Sequence, residues 1–349
     1  MKIILHVGFH KTGSTSIQAT LANSRASGFR YLTKKPANHS NLLSSAFRFP
    51  GVAEPSASPD GIAEFRSLLH AAASDLGDGT LIVSGEVVSV FSEASLQALK
   101  AELSSLTSDI SVIGYVRPVA DYMSSQFQQD LKNRFVPFDS IKTRPYRAQI
   151  EALDGVFGRE NVCLVPSDRE MLQHGDAVRD FCDRIGFPIE PAAIRRNNES
   201  IGAEGIALLY IHRKYYTSTD IKRPALERNF IQHLRSAGTG RFKLDGSIVA
   251  AANTGSLDDM RAVSERLGYP FEKFLDTSKP GVKSEEELLA TVLSEGYQRT
   301  ALSLVTGRPY KARMGEAELA AVLEKVRLET DHSSGIRSLL SLKRWLKSS

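Results

Sequence analysis

A loop near the start of the chain combines glycine, hydroxyl and cationic residues in a spacing that suits anion binding. The loop lies between Gly8 and Gly13, after an apolar segment at 2–8 and before a helix-like segment that begins near residue 14. Lys11 is the only lysine or arginine in the loop. Because a glycine-bearing turn and a helix N-terminus both present unpaired N–H groups, we predict that a phosphate-like group binds here.

The loop differs from a nucleoside-triphosphate P-loop at one position. That motif, GxxxxGK[ST], places a lysine directly after its second glycine, whereas Ser14 follows Gly13 in this chain. The cation of the loop, Lys11, instead precedes the second glycine. The spacing therefore favours a ligand with one short 5′ phosphate-like group over a triphosphate that carries Mg²⁺.

The loop resembles the 5′-phosphosulfate loop of sulfotransferases that use 3′-phosphoadenosine 5′-phosphosulfate (PAPS), and it is most similar to the bacterial branch of that family. The resemblance is carried by His6-Val7-Gly8-Phe9-His10-Lys11-Thr12-Gly13-Ser14-Thr15-Ser16. It implies that PAPS is the co-substrate and that the reaction needs no metal ion. It also implies that the 5′-phosphosulfate is held by His10, Lys11, Thr12, Gly13, Ser14, Thr15 and Ser16.

The resemblance includes a second site, in which an arginine at a strand end is followed eight residues later by a serine. Arg117 and Ser125 have this spacing, after an apolar segment at 110–116. A guanidinium fork and a hydroxyl donor are suited to a terminal phosphate, here the 3′-phosphate of the donor. If the alignment is anchored on Pro118 instead, Ser124 becomes the matching hydroxyl; we favour Ser125.

Glu86 is the candidate general base. It follows a short apolar segment at 80–84, and ligands of open parallel sheets bind outside the carboxyl ends of the strands. Sulfuryl transfer to a hydroxyl needs a base for the acceptor proton and a cation for the departing oxygen, and Glu86 and Lys11 fit these roles. Ser84-Gly85-Glu86 resembles the Ser-x-Glu of bacterial members. The alternative is a carboxylate that favours the first turn of the next helix.

The histidines and cysteines give weaker signals. His6 lies within the first apolar segment, which predicts a core residue, while His39 and His70 have no recognisable placement. Cys163 and Cys182 are too few and too far apart for a zinc site. We therefore predict no metal centre.

The composition limits the class of protein. The chain has 349 residues, of which 42% are hydrophobic and 24% are charged, with a net charge of +4. This mild charge suits anionic ligands, and no basic stripe with interleaved aromatic residues predicts nucleic-acid binding. Two cysteines give no disulfide framework, and no apolar run resembles a signal peptide or a membrane span. We expect a cytoplasmic protein.

Strand-like and helix-like segments alternate through the first half of the chain. We predict strands at 2–8, 29–32, 80–84, 110–116 and 161–165, and helices at about 14–25, 62–76, 93–105 and 120–132. This order predicts an α/β, P-loop-like three-layer fold with a mostly parallel central sheet and helices on both faces. Loops at 34–61 and 133–148 are expected to help to select the acceptor.

The resemblance covers about 210 residues, so we predict a PAPS-binding core at 1–209 and a helix-rich extension at 210–349 that packs on it. Arg195 or Arg196, in the last resembling segment, offers a further contact for the 3′-phosphate. The extension shows helical periodicity at 285–304 and 316–328. Its last residues, 334–349, form a basic amphipathic pattern, which predicts either a docked helix or contact with an anionic membrane surface.

Taken together, the sequence predicts a PAPS-dependent sulfotransferase that modifies a hydroxyl of a carbohydrate or glycolipid. Two alternatives remain open. The first is a P-loop-like nucleotide-dependent kinase, in which Glu86 would bind Mg²⁺. The second is a non-catalytic adaptor that keeps the fold and binds a partner through 210–349. The identity of the acceptor and the oligomeric state have no signal in the sequence.

Overall fold

Five strands form one parallel β-sheet in the computed structural model, which describes residues 1–9, 12–33, 35–48, 58–141, 143–144, 146–195, 201–216, 224–238 and 240–330. The strands are β1 (Lys2–Gly8), β2 (Phe29–Tyr31), β3 (Thr80–Ser84), β4 (Ile110–Val116) and β5 (Val162–Pro166). Their spatial order is β2-β3-β1-β4-β5. All neighbouring pairs are parallel, which confirms the predicted α/β class.

The helices follow the strands and continue through the second half of the chain. They are α1 (Ser14–Asn23), α2 (Ser40–Phe47), α3 (Pro59–Ala73), α4 (Glu93–Ser104), α5 (Val119–Asn133), α6 (Arg147–Phe157), α7 (Ala177–Ile185), α8 (Ala203–Tyr215), α9 (Pro224–Leu234), α10 (Gly246–Asn253), α11 (Leu257–Leu267), α12 (Phe271–Leu275), α13 (Glu285–Leu293), α14 (Glu295–Thr300), α15 (Leu302–Thr306) and α16 (Glu316–Glu329). Among the described residues, no helix combines the length and the apolar character needed to cross a bilayer.

The central strands are apolar on both sides because both faces of the sheet are covered. Successive residues Ile3, Ile4 and Leu5 of β1 are all buried, although their side chains point to opposite faces. On one face the sheet packs against Ile17 of α1 and Phe181 of α7. This burial explains why near-continuous apolar segments, rather than alternating ones, predicted the strands correctly.

The carboxyl ends of three strands lie side by side at one edge of the sheet. β1 is the middle strand, with His6 in register with Ser84 of β3 and Gly8 in register with Tyr115 of β4. The residues that follow these strands, including Glu86 and Arg117, therefore emerge at the edge where open parallel sheets bind ligands.

The chain forms two compact units that interleave along the sequence. Unit 1 comprises 1–122, 143–198 and 253–276 and contains the whole sheet. Unit 2 comprises 123–142, 199–252 and the chain from residue 277 onwards. The predicted division into 1–209 and 210–349 follows the extent of a family resemblance, and it stays a prediction of that kind.

Two local predictions are corrected. The predicted loop 34–61 contains α2, which buries Leu43, Ala46 and Phe47 at helical spacing. The predicted helix 285–304 is divided into α13, α14 and the start of α15, because Ser294 has an extended backbone and its side chain caps α14. The helix predicted at 316–328 is confirmed as α16, while the basic segment 334–349 lies outside the described residues.

Candidate functional site

Gly8 is the point at which the loop after β1 meets the end of β3. A Cβ built on Gly8 would collide with Ser14 Oγ and would lie 2.8 Å from Glu86 Cγ. Only a glycine leaves room for both side chains at this position. The sequence therefore brings a residue of the α1 N-terminus and the predicted base into contact with the same backbone atom.

The N-terminus of α1 is open toward this loop. Gly13, the residue before the helix, has φ of 88°, a left-handed conformation that favours glycine. No side chain among the described residues caps α1, and its first turn contains no acidic residue. The first N–H groups of a helix and its dipole attract anions when no side chain occupies them, so this terminus suits a phosphate or sulfate group.

The structure places only part of the predicted phosphosulfate loop. Thr12 and Ser14 are buried, and their hydroxyl oxygens lie 3.3 Å apart. Thr15 is exposed, and Ser16 is half-buried at the start of α1. His10 and Lys11 lie outside the described residues, so the role of Lys11 stays a prediction from the sequence.

Glu86 begins a short 3₁₀ segment, Glu86–Val90, directly after β3 and Gly85. Its side chain is half-buried, beside Gly8. The segment is anchored by the Ser89 hydroxyl, which donates to the Glu86 carbonyl at 2.8 Å. Glu86 thus occupies the first turn of a helical segment, as the alternative interpretation proposed, and it also contacts the anion-binding loop, as the catalytic one requires.

A buried polar network lies immediately behind Glu86, at the end of β3. The Ser84 hydroxyl lies 2.8 Å from His6 Nδ1 and accepts a hydrogen bond of 3.1 Å from Gln18 Nε2 of α1. The Ser84 N–H donates to His39 Nδ1 at 3.0 Å, and the Ser84 carbonyl accepts from the His39 N–H at 3.0 Å. Ser84 therefore connects three elements that surround the candidate site: β1, α1 and the segment before α2.

The histidines of this network are uncharged at neutral pH. Burial lowers the pKa of His6 to about 3, and the neighbouring His39 adds to the effect. Burial also lowers the pKa of His39 to about 4, partly opposed by its hydrogen bond to the Thr33 carbonyl. His6 is thus the core residue that the sequence predicted, and neither histidine supplies charge to the loop.

The predicted 3′-phosphate residues follow β4. Arg117 is half-buried at the strand end, and Ser125 is half-buried in α5. Ser124 is buried, and its hydroxyl accepts a hydrogen bond of 3.0 Å from the Leu244 N–H within unit 2. This structural role of Ser124 agrees with the preference for Ser125, whose contact with a phosphate stays a prediction.

Sequence reasoning did not single out two residues near Arg117. Tyr146 is buried with its ring 6.0 Å from that of Phe9 and 5.8 Å from that of Tyr122, centroid to centroid. Arg144 lies 5.8 Å above the Tyr146 ring, and its Nη2 donates to the Ser89 carbonyl at 3.3 Å. The only available signal was their position in the predicted acceptor loop 133–148.

The remaining candidates are less informative. Arg195 is exposed, and its N–H donates to Thr20 Oγ1 at 2.9 Å, while Arg196 lies outside the described residues. Within the described ranges, no group of three or more histidine, cysteine, aspartate or glutamate side chains is arranged to hold a metal ion.

Comparison with known proteins gives one structural similarity. No family model and no curated protein matches the chain. The crystal structure of a sulfotransferase from Alicyclobacillus acidocaldarius aligns with 15% sequence identity and a TM-score of 0.35, over 60% of this chain and 91% of that one. A likeness of this degree says nothing of substrate or catalytic residues, and the α/β assignment rests on the order and register of the strands.

Proposed function

We propose that this chain is a sulfotransferase that moves a sulfuryl group from PAPS to a hydroxyl of a carbohydrate or glycolipid acceptor. The observation that carries the proposal is the contact at Gly8, where the α1 N-terminus and Glu86 meet. An uncapped helix terminus holds an anionic group, and a carboxylate beside it can take a proton from an incoming hydroxyl. The resemblance of the loop to PAPS-dependent enzymes names the donor.

In the proposed reaction, the acceptor oxygen forms a bond to sulfur while the bond from sulfur to the 5′-phosphate oxygen breaks. Glu86 accepts the proton of the acceptor hydroxyl. Lys11 and the N–H groups at the start of α1 neutralise the charge that develops on the departing phosphate oxygen. The products are the sulfated acceptor and adenosine 3′,5′-bisphosphate.

Arg117 and Ser125 are proposed to bind the 3′-phosphate of the donor. A guanidinium forms charge-assisted hydrogen bonds with phosphate oxygens, and a hydroxyl adds a neutral donor. Loss of Arg117 should weaken nucleotide binding more than it slows the chemical step, because the 3′-phosphate is remote from the sulfur that reacts.

Nucleotide binding gives the first test. We expect adenosine 3′,5′-bisphosphate to raise the melting temperature of the full chain, because a ligand of the folded state stabilises it by mass action. ATP with Mg²⁺ should give a much smaller shift, since Ser14 replaces the P-loop lysine. A larger shift with ATP and Mg²⁺ would instead support the kinase alternative.

Turnover gives the second test, with PAPS and a panel of carbohydrate and glycolipid acceptors. Lys11→Ala should abolish transfer, and Glu86→Gln should lower kcat by about 10²- to 10⁴-fold, the usual contribution of a general base. Arg117→Ala should mainly weaken binding of the nucleotide. Full activity of the Lys11 and Glu86 variants would refute the assignment, and nucleotide binding without turnover would favour the adaptor.

A further inference from the structure

Arg144 is a half-buried arginine that has no carboxylate partner among the residues that the structure describes. Its Nη2 contacts only the carbonyl and hydroxyl oxygens of Ser89, at 3.3 and 3.4 Å. Both contacts are long, and both use one of its three nitrogen atoms. Most of the hydrogen-bonding capacity of the guanidinium is therefore not used by the protein.

Other half-buried arginines of unit 1 are paired differently. Arg184 Nε lies 2.6 Å from Asp180 Oδ2, and Arg266 Nε lies 2.6 Å from Asp154 Oδ2. These pairs follow the expected rule, because a charge that is withdrawn from water needs a counter-charge. Arg144 departs from this rule within the same unit, and the departure indicates that its counter-charge is supplied by a ligand.

The position of Arg144 relates it to the edge of the sheet described above. Ser89, its partner, belongs to the 3₁₀ segment that begins with Glu86. Tyr146 lies beneath Arg144 and packs on Phe9, the residue after Gly8. Arg144 is therefore fixed between the segment of the candidate base and the start of the anion-binding loop.

Arg117 and Arg144 lie around the same hydroxyl group. The Tyr146 hydroxyl is buried and has no hydrogen-bond partner in the described part of the chain. Burial, with the Tyr122 hydroxyl, raises the pKa of Tyr146, and the positive charges of Arg144 and Arg117 oppose that rise. Both guanidinium groups are thus near enough to one point to act on it electrostatically, and two cations at one point attract an anion.

We propose that Arg144 and Arg117 together bind one phosphate- or sulfate-like anion at the carboxyl edge of the sheet. The inference rests on the proposed function for the source of this anion. The source is either the 3′-phosphate of the donor nucleotide or an anionic group on the acceptor. In the second case the acceptor is itself acidic, which narrows the class of carbohydrate or glycolipid.

The test is calorimetric titration of the full-length protein with inorganic phosphate, adenosine 3′,5′-bisphosphate and adenosine 5′-monophosphate. Arg144→Gln should weaken phosphate binding by about tenfold or more, because a charge-assisted hydrogen bond is lost. Arg144→Lys should recover part of the loss, since it keeps the charge but not the fork. The matched control is Arg147→Gln, which removes an exposed arginine that pairs with Glu151 at 2.7 Å, and it should bind as wild type does.

A double-variant cycle tests whether the two arginines share one anion. If they do, Arg117→Gln and Arg144→Gln will not be additive, since the second substitution acts on a site that is already lost. Equal effects that multiply would contradict a shared anion. Phosphate affinity of Arg144→Gln within twofold of wild type would overturn the proposal, as would a wild-type protein that binds no phosphate.

The nucleotides identify the source of the anion. If Arg144→Gln weakens the bisphosphate but not the 5′-monophosphate, the anion is the 3′-phosphate of the donor. If it weakens inorganic phosphate and leaves both nucleotides unchanged, the anion belongs to the acceptor. If wild type binds phosphate through Arg144 but does not bind the bisphosphate, the proposed donor is wrong while the anion site stands.

Discussion

The two units contain buried polar networks that avoid uncompensated charge in different ways. In unit 1, Ser84 joins His6, Gln18 and His39, and both histidines are neutral. In unit 2, charges are buried and balanced. Members of that network are Arg213, Glu227, Arg327, Glu324 and His212, linked by contacts of 2.8 Å or less.

This difference separates a site from a scaffold. A neutral network beside the candidate site adds no field of its own, so the charge that an anion meets there comes from the cations of the site and from the α1 terminus. The charged network of unit 2 holds helices together. Arg213 shows this role, because it donates to the carbonyls of Leu131 and Lys132 at the C-terminal end of α5.

Removal of Arg213 should have the largest effect on stability. Arg213→Met leaves Glu227 without one of its two cations and the end of α5 without its donors, so we expect a loss of about 3–5 kcal/mol in the free energy of unfolding. Urea denaturation at pH 7 measures it. The double variant Arg213→Met/Glu227→Leu should be more stable than the single one. A loss below about 1 kcal/mol would show that the charged network is not a scaffold.

The neutral network should make stability sensitive to acid. The pKa of His39 is about 4 in the folded state and about 6.5 when unfolded, so only the unfolded chain gains a proton as the pH falls through 6.5. Stability is therefore full above pH 6.5 and declines toward pH 4, by about 2 kcal/mol between pH 7 and 5 for each such histidine. His6 has the same sign, with a folded-state pKa of about 3.

His39→Gln should remove this contribution while His6 keeps its own. The measurement is the difference between unfolding free energies at pH 7 and pH 5, which cancels any constant cost of the substitution. His70→Gln, at an exposed position of α3, is the control and should leave the difference unchanged. An unchanged pH dependence in His39→Gln would mean that His39 is not held neutral by burial.

The sequence predicted the sheet more fully than it predicted the site. Long apolar segments gave the bounds of β1, β3 and β4, because strands buried on both faces have a strong and local signal. Glu86 and Arg117 were found because topology brings strand ends to one edge. His39 was not placed, since its only role is to bond to Ser84, far away in the sequence.

Other errors have the same physical origin. Arg144 looks like any loop cation until the fold sets it above Tyr146 without a carboxylate partner among the described residues. The division of the predicted helix at Ser294 depends on how unit 2 packs, and the helical periodicity on either side of it hides the break. Patterns within one segment are readable, whereas contacts between segments require the fold.

Removal of the Ser84 hydroxyl should have a smaller effect than loss of a buried charge. Ser84→Ala leaves Gln18 Nε2 and His6 Nδ1 without a partner in a buried place, which costs about 1–3 kcal/mol. Because these bonds connect α1 to the strand that leads to Glu86, nucleotide binding should also weaken. Ser95→Ala, a buried serine near the start of α4, is the matched control for stability and should not affect binding.

The smallest effect is expected at an exposed pair with good geometry. Arg66 and Glu102 form two hydrogen bonds, at 2.9 and 2.5 Å, as complete as those of any buried arginine in the molecule. The Arg66 side chain is nevertheless 55% exposed, so water and salt replace most of what the pair provides. Arg66→Gln should unfold at the same urea concentration as wild type within error, at low and at high salt. A clear loss would mean that bond geometry, rather than burial, explains the expected cost at Arg213.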